Sequence, residues 1–125
     1  MWLFIHLAGH MKLYGIPNCN TVKKARTWLE ERQVDYMFHD FKKAGLNQNL
    51  LDNWLSQQSW EKLVNRAGMT WRKLDDATKS SITDNNSAAK LMLDKTSVIK
   101  RPILENDGRI LAIGFQEEKY KELFK

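Results

Sequence analysis

The chain has 125 residues, 42% hydrophobic and 28% charged, with 20 lysines and arginines against 15 aspartates and glutamates, a formal net charge of +5. That length suits one domain, and the apolar share with its five tryptophans is enough to build a core. A surplus of five positive charges is too small for a histone-like nucleic-acid binder and fits a solvated basic surface or a small anionic substrate, while a single cysteine excludes an internal disulfide and suits a reducing cytoplasm, the expected location.

Residues 1–10, MWLFIHLAGH, are apolar but too short to span a bilayer, and no lysine or arginine precedes the apolar run. They make a poor signal peptide, and no membrane partner is expected. Met11 is an alternative start, because a strand pattern begins directly after it. Residues 1–10 are read as an N-terminal extension with no part in the chemistry. The rival reading is a short strand that pairs with a sheet edge or a partner.

Lys12 to Ile16 is predicted as the first strand, broken at Pro17-Asn18. Cys19 follows, and a helix is predicted over Thr21 to Arg32, with Val22, Ala25 and Leu29 on one face. This order sets a thiol at a helix N-terminus, where the dipole and the free backbone N–H groups favour a thiolate. Lys23 and Lys24 lie one turn in and add positive potential. A lone cysteine is more often inert and buried; strand, Pro-Asn, cysteine and amphipathic helix in succession favour the reactive reading. Asn18, Asn20 and Thr21 bring polar side chains beside the sulfur, and their backbone N–H groups offer a cradle for an anion. Simple helix capping is an equal alternative for Asn20 and Thr21.

Val34 to Asp40 alternates apolar and polar residues, with Val34, Tyr36 and Phe38 on one face, and is predicted as a second strand. Strand, helix and strand of these lengths make a parallel, right-handed βαβ unit. A helical middle follows, from about 44 to 97. Leu46, Leu50, Leu51, Trp54 and Leu55 form an amphipathic stripe, and Ser59 caps a short helix with Trp60, Leu63 and Val64. Trp71 and Leu74 begin another turn, and Thr83 or Asp84 caps a helix with Ala88, Leu91 and Met92 on one side. Lys79 to Ser87, rich in Ser, Thr, Asn and Asp, is predicted as the clearest loop. The end returns to β structure. Pro102–Glu105 and Arg109–Ile113 flank the turn signal Asn106-Asp107-Gly108, and Glu117 to Phe124 is a last helix.

The order βαβ, helical insertion, ββα is that of an α/β thioredoxin-like fold. Three segments carry a resemblance to a family. Tyr14-Gly-Ile-Pro-Asn-Cys-Asn-Thr-Val-Lys-Lys-Ala-Arg-Thr-Trp-Leu29 resembles the start of the arsenate reductase-like (ArsC) family, which includes the Spx regulators and the YffB-type proteins. Thr70-Trp-Arg-Lys-Leu74 resembles its central segment, and Lys100-Arg-Pro-Ile-Leu104 its Arg-Pro-Ile strand entry. The resemblance covers residues 11–125, and the YffB branch is the nearest.

The resemblance implies that Cys19 attacks a disulfide or an oxyanion as a thiolate. It implies that Arg101 faces this thiolate and holds an anionic substrate, for which a guanidinium is suited by its two parallel donors. It also likens Pro102 to the cis-proline opposite the cysteine of thioredoxin-like folds. Two departures bear on the substrate. Arsenate reductases use three arginines, whereas here Arg66 is an approximate counterpart of the second and the third falls near Ala112. One lost arginine removes about 1.5–3 kcal/mol of charged hydrogen bonding to an oxyanion, so arsenate is expected to be a poor substrate. Spx regulators commonly carry Cys-X-X-Cys, and Val22 stands where the second cysteine would be. A monothiol must be resolved by an external thiol.

Glutathione is therefore the expected co-substrate, and Lys23, Lys24, Arg66, Arg72 and Arg101 form the basic set that would meet its carboxylates, although a lysine pair is commonly only a solvated face. No Gly-rich phosphate loop occurs, and His6, His10 and His39 are too sparse for a metal site. The expectation is a reductase of thiols, disulfides or oxyanions acting through Cys19, with Arg101 as its catalytic partner. Asn18, Asn20, Thr21, Lys23, Arg66, Arg72 and Pro102 are expected to line the substrate and glutathione site. The alternative is a non-enzymatic Spx-like adaptor that binds RNA polymerase. Nucleic acid is not the expected partner.

Overall fold

The computed structural model describes residues 10–125. The expected N-terminal extension lies outside the described residues apart from His10, whose carbonyl accepts the Asp107 N–H at 3.0 Å. The chain forms two compact units. One holds the described residues up to Ala44 together with Arg101–Lys125, and the other holds Gly45–Lys100.

The first unit is built on a four-stranded mixed sheet. Its strands are β1 (Met11–Gly15), β2 (Met37–Asp40), β3 (Ile103–Asn106) and β4 (Arg109–Ile113). The order is β2-β1-β3-β4, with β2 parallel to β1 and the β1–β3 and β3–β4 pairs antiparallel. Helix α1 (Asn20–Glu31) makes the crossover between the parallel strands, as the βαβ pattern requires. The short α2 (Phe41–Ala44) follows β2 directly.

Period-two alternation divides the sheet into two faces. On one, Met11, Leu13, Leu104 and Ala112 pack with Ala25, Trp28 and Leu29 of α1 and with Tyr120 of the C-terminal helix. The Trp28 and Tyr120 rings meet edge to face, 5.5 Å between centroids. On the other face, Tyr14 lies opposite Ile103 and Lys12 opposite Glu105. There the Tyr14 hydroxyl donates to Glu105 Oε1 at 3.1 Å, and its ring lies 4.8 Å from that of His39.

The second unit is helical: α3 (Gln48–Gln57), α4 (Trp60–Leu63), α5 (Met69–Arg72), α6 (Asp76–Ser81) and α7 (Asn85–Asp94), then a 3₁₀ turn at Thr96–Val98. Leu51, Trp54, Leu63, Ala88, Met92 and Ile99 are buried in it. Each longer helix starts on a side-chain cap. Asn47 accepts from Leu50 N–H, Asp75 from Thr78 N–H and Asp84 from Ser87 N–H, the last in a full capping box. The last helix of the chain, α8 (Glu117–Leu123), belongs to the first unit.

The α/β fold is as expected, with corrections to its elements. Strand β2 covers only Met37–Asp40; Val34 and Tyr36 precede it and pack against the core from irregular backbone. Lys79–Ser87 is not one loop. Its first residues belong to α6 and its last to α7, leaving Ile82, Thr83 and Asp84 between them. The polar residues that suggested a loop serve instead as caps and exposed helix faces.

Candidate active site

Strand β1 ends at Gly15, and Ile16, Pro17 and Asn18 carry the chain to the start of α1. Cys19 is the N-cap residue of that helix. Its backbone is extended (φ −143°, ψ 123°), and its carbonyl accepts the Lys23 N–H at 2.9 Å. Asn20 and Thr21 are the first helical residues, so neither caps the helix. The thiol takes the position that serine, threonine or aspartate usually fills, facing the unpaired N–H groups of the first turn.

Cys19 is half-buried and unbridged. Its thiol pKa lies below the ordinary value. Partial burial alone pushes it up, but the Val22 N–H, a hydrogen bond and the charge from the Arg101 guanidinium, and the Thr21 N–H together outweigh that effect. The sulfur makes no capping hydrogen bond of regular geometry. The N–H groups therefore act as dipoles aimed at a large, diffuse anion. Lys23 and Lys24 are exposed and are not among the groups that lower the thiol.

Arg101 reaches the sulfur from the other side of the chain's topology. It immediately precedes Pro102 and β3, and the Arg101–Pro102 peptide bond is cis. Pro102 is buried, and its carbonyl accepts the Gly114 N–H at 2.8 Å, which ties this segment to the end of β4. The unit's other arginines near the core are engaged elsewhere. Arg26 lies 4.1 Å over the Phe38 ring, and Arg32 lies 3.9 Å over Trp28. Arg109 sits at the hairpin end of β4, opposite Asn106, whereas Ile113 is the residue opposite Ile103 beside Pro102. Ala112 is buried in the apolar cluster with Leu104 and Tyr120. A guanidinium at Ala112 would lie among those side chains.

The structure thus joins Cys19, Thr21 and Arg101, with Pro102 anchoring the last. Asn18, Asn20 and Lys23 are exposed around the sulfur's end of α1. Arg66 and Arg72 belong to the second unit; both are exposed, and Arg66 lies 5.2 Å from the Trp60 ring and 3.6 Å from a Glu61 carboxylate oxygen. In the sequence Val22 stands out as a core residue and as the place of a second cysteine in Spx regulators, not as a hydrogen-bond donor. Its main-chain N–H is one of the groups that favour the thiolate, and the signal was available in its place three residues after the cap. Among the described residues there is no group of His, Cys, Asp and Glu that could hold a metal ion, and no helix long and apolar enough to cross a membrane.

Comparison with known proteins places the chain in a family. The ArsC family model matches residues 14–123. An uncharacterised protein of Haemophilus influenzae is 41% identical over 112 residues, which are 90% of this chain and 96% of the relative. The global transcriptional regulator Spx of Streptococcus pyogenes is 30% identical over 112 residues, 87% of this chain and 81% of the regulator. The solved structure of a YffB protein superposes with a TM-score of 0.84 at 46% identity, covering 90% of this chain and 96% of the other. The chain belongs to the ArsC family.

Proposed function

We propose that this ArsC-family chain is a glutathione-dependent reductase of disulfides formed between glutathione and another thiol. The observation that carries the reading is the sulfur of Cys19, held at the N-cap of α1 with the Arg101 guanidinium beside it. The N–H groups and the guanidinium favour the thiolate over the thiol, and a thiolate is the attacking species in thiol–disulfide exchange.

In the first step, the Cys19 thiolate attacks the glutathione sulfur of a mixed disulfide. The Cys19–glutathione disulfide forms, the old S–S bond breaks, and the substrate leaves as a thiolate that takes up a proton. In the second step, the thiolate of a second glutathione attacks that adduct. Oxidised glutathione leaves, and the Cys19 thiolate is restored. The substrate gains two electrons and two glutathione molecules end joined, so the balance closes without a second protein cysteine. Arg101 supplies a fixed positive charge against the carboxylates of glutathione. Arsenate fits this site less well, because β4 carries no arginine at the end beside Pro102. Finer details of the reduction, including any oxyanion substrate, rest on the same thiolate.

Incubation with oxidised glutathione tests the proposal. The protein should gain one glutathionyl group at Cys19, detected by mass, and lose it on adding reduced glutathione. Cys19→Ser should form no adduct while keeping the circular dichroism of the parent. Efficient turnover of arsenate, or failure to form the adduct, contradicts the reading. A second reading, a binding adaptor, is favoured by the similarity to the Spx regulator. It predicts capture of purified RNA polymerase that is unaffected by Cys19→Ser.

A further inference from the structure

Gly15 closes β1 and is buried, seven residues before Val22. It is not among the glycines with positive φ, which are Gly45, Gly108 and Gly114. Its backbone conformation is therefore open to any residue, and the reason for a glycine there is one of space. A Cβ at Gly15 would lie 2.9 Å from Val22 Cγ2 and 3.4 Å from Val22 Cγ1, the first closer than real Cβ atoms approach.

Val22 cannot easily give way. It is fully buried, and a β-branched side chain in a helix is nearly confined to one χ1 rotamer. A methyl group at residue 15 would press on the first turn of α1 itself. That turn carries the N–H groups of Thr21 and Val22 that face the Cys19 sulfur. The missing side chain at the end of β1 and the electrostatics of the nucleophile are thus linked through one van der Waals contact.

We propose that Gly15 is a positioning residue for the Cys19 nucleophile: its lack of a side chain lets the first turn of α1 seat against the end of β1, where its N–H groups face the sulfur. The inference rests on the reading of Cys19 as the reacting thiolate. It assigns Gly15 no contact with substrate.

The test compares the wild type, Gly15→Ala and the double variant Gly15→Ala/Val22→Ala. The double variant keeps the new methyl and removes the two it would strike. The readouts are the rate of iodoacetamide alkylation of Cys19 against pH and the urea unfolding midpoint. Gly15→Ala should shift the alkylation midpoint upward and slow the reaction at pH 7 by roughly two- to fivefold, the range of a weakened helix-dipole interaction. The double variant should return the midpoint to the wild-type value. A purely structural role would lower the urea midpoint and leave the pH profile alone. A low wild-type midpoint that Gly15→Ala does not move overturns the role of Gly15 and leaves the Cys19 reading standing. A wild-type midpoint at the ordinary thiol value overturns both. If Gly15→Ala does not fold, a folded double variant with the wild-type profile supports the proposal. A double variant that misfolds or keeps a raised midpoint overturns it.

Discussion

Cys19 was legible in the sequence because its neighbours dictate its place: an apolar strand, a proline, then a helix with an apolar face. What acts on the sulfur was only partly legible. The free N–H groups of the helix start were expected to act on it, and two of the groups that lower the thiol are backbone N–H groups, whereas the expected Lys23 and Lys24 are not among them. Asn20 and Thr21 were equally open as caps, and the cysteine itself takes that position. Arg101 was legible only through its resemblance to the family's Arg-Pro pair. Arg101→Gln removes the one guanidinium acting on the sulfur, so it should raise the Cys19 pKa and slow alkylation at pH 7 by roughly three- to tenfold, the loss being limited by solvent screening. An unchanged rate–pH profile in that variant would sever Arg101 from the site. The lowered thiol also makes stability depend on pH. The folded pKa lies below the unfolded one, so the thiolate stabilises the fold in full above the ordinary thiol value of about 8.5. That contribution fades as pH falls through the folded value. Urea midpoints of the wild type should therefore rise relative to Cys19→Ala as pH increases across this window; parallel curves would mean the thiol is unshifted.

Among the elements, long periodic segments were legible and short ones were not. Helix α1 and the β3–β4 hairpin lie where apolar spacing and the Asn-Asp-Gly turn put them. Strand β2 was overextended because Val34 and Tyr36 are apolar or aromatic and pack inward without joining the ladder. Lys79–Ser87 was misread because Ser, Thr, Asn and Asp signal loops and helix caps alike. The start of α6 depends on the Asp75 carboxylate and that of α7 on the Asp84 carboxylate, each held below its usual value by hydrogen bonds from Thr78 or Ser87. A depressed carboxyl pKa stabilises the fold above the unfolded value of about 3.9 and ceases to do so as pH falls through the folded one. Mild acid should therefore fray α6 and α7 at their N-termini, seen as lower amide protection, relative to the intrinsic exchange rate at each pH, in their first turns below about pH 4 than at pH 6. Asp84→Asn, which can still cap but not titrate, should remove that pH dependence from α7 alone. Equal protection at both pH values in the wild type would count against these carboxylates as caps.

At the scale of the whole molecule, the sheet does two jobs with its two faces. One face holds the apolar cluster under α1 and α8, and so fixes the helix whose N-terminus carries Cys19. The other buries Glu105, only 4% exposed, under the hydroxyl of Tyr14. Burial and the neighbouring carboxylate push the Tyr14 phenol well above its ordinary range, so it stays a donor. Tyr14→Phe keeps the ring and removes this bond from a buried carboxylate. It should cost about 1–3 kcal/mol in urea unfolding; a neutral substitution would show that the bond contributes nothing net. The fold class was legible from element order, whereas this polar pair was not, since only the register of β1 against β3 brings Tyr14 and Glu105 together. The proposed reaction needs a single thiolate at Cys19 ready for exchange with glutathione disulfides. The most direct measurement is the rate of adduct formation at Cys19 with oxidised glutathione, followed by mass across a pH series. A single adduct is expected, forming at a rate that saturates with a midpoint below the free-thiol value of about 8.5. A rate that follows an unperturbed thiol, or no adduct at any pH, would contradict it.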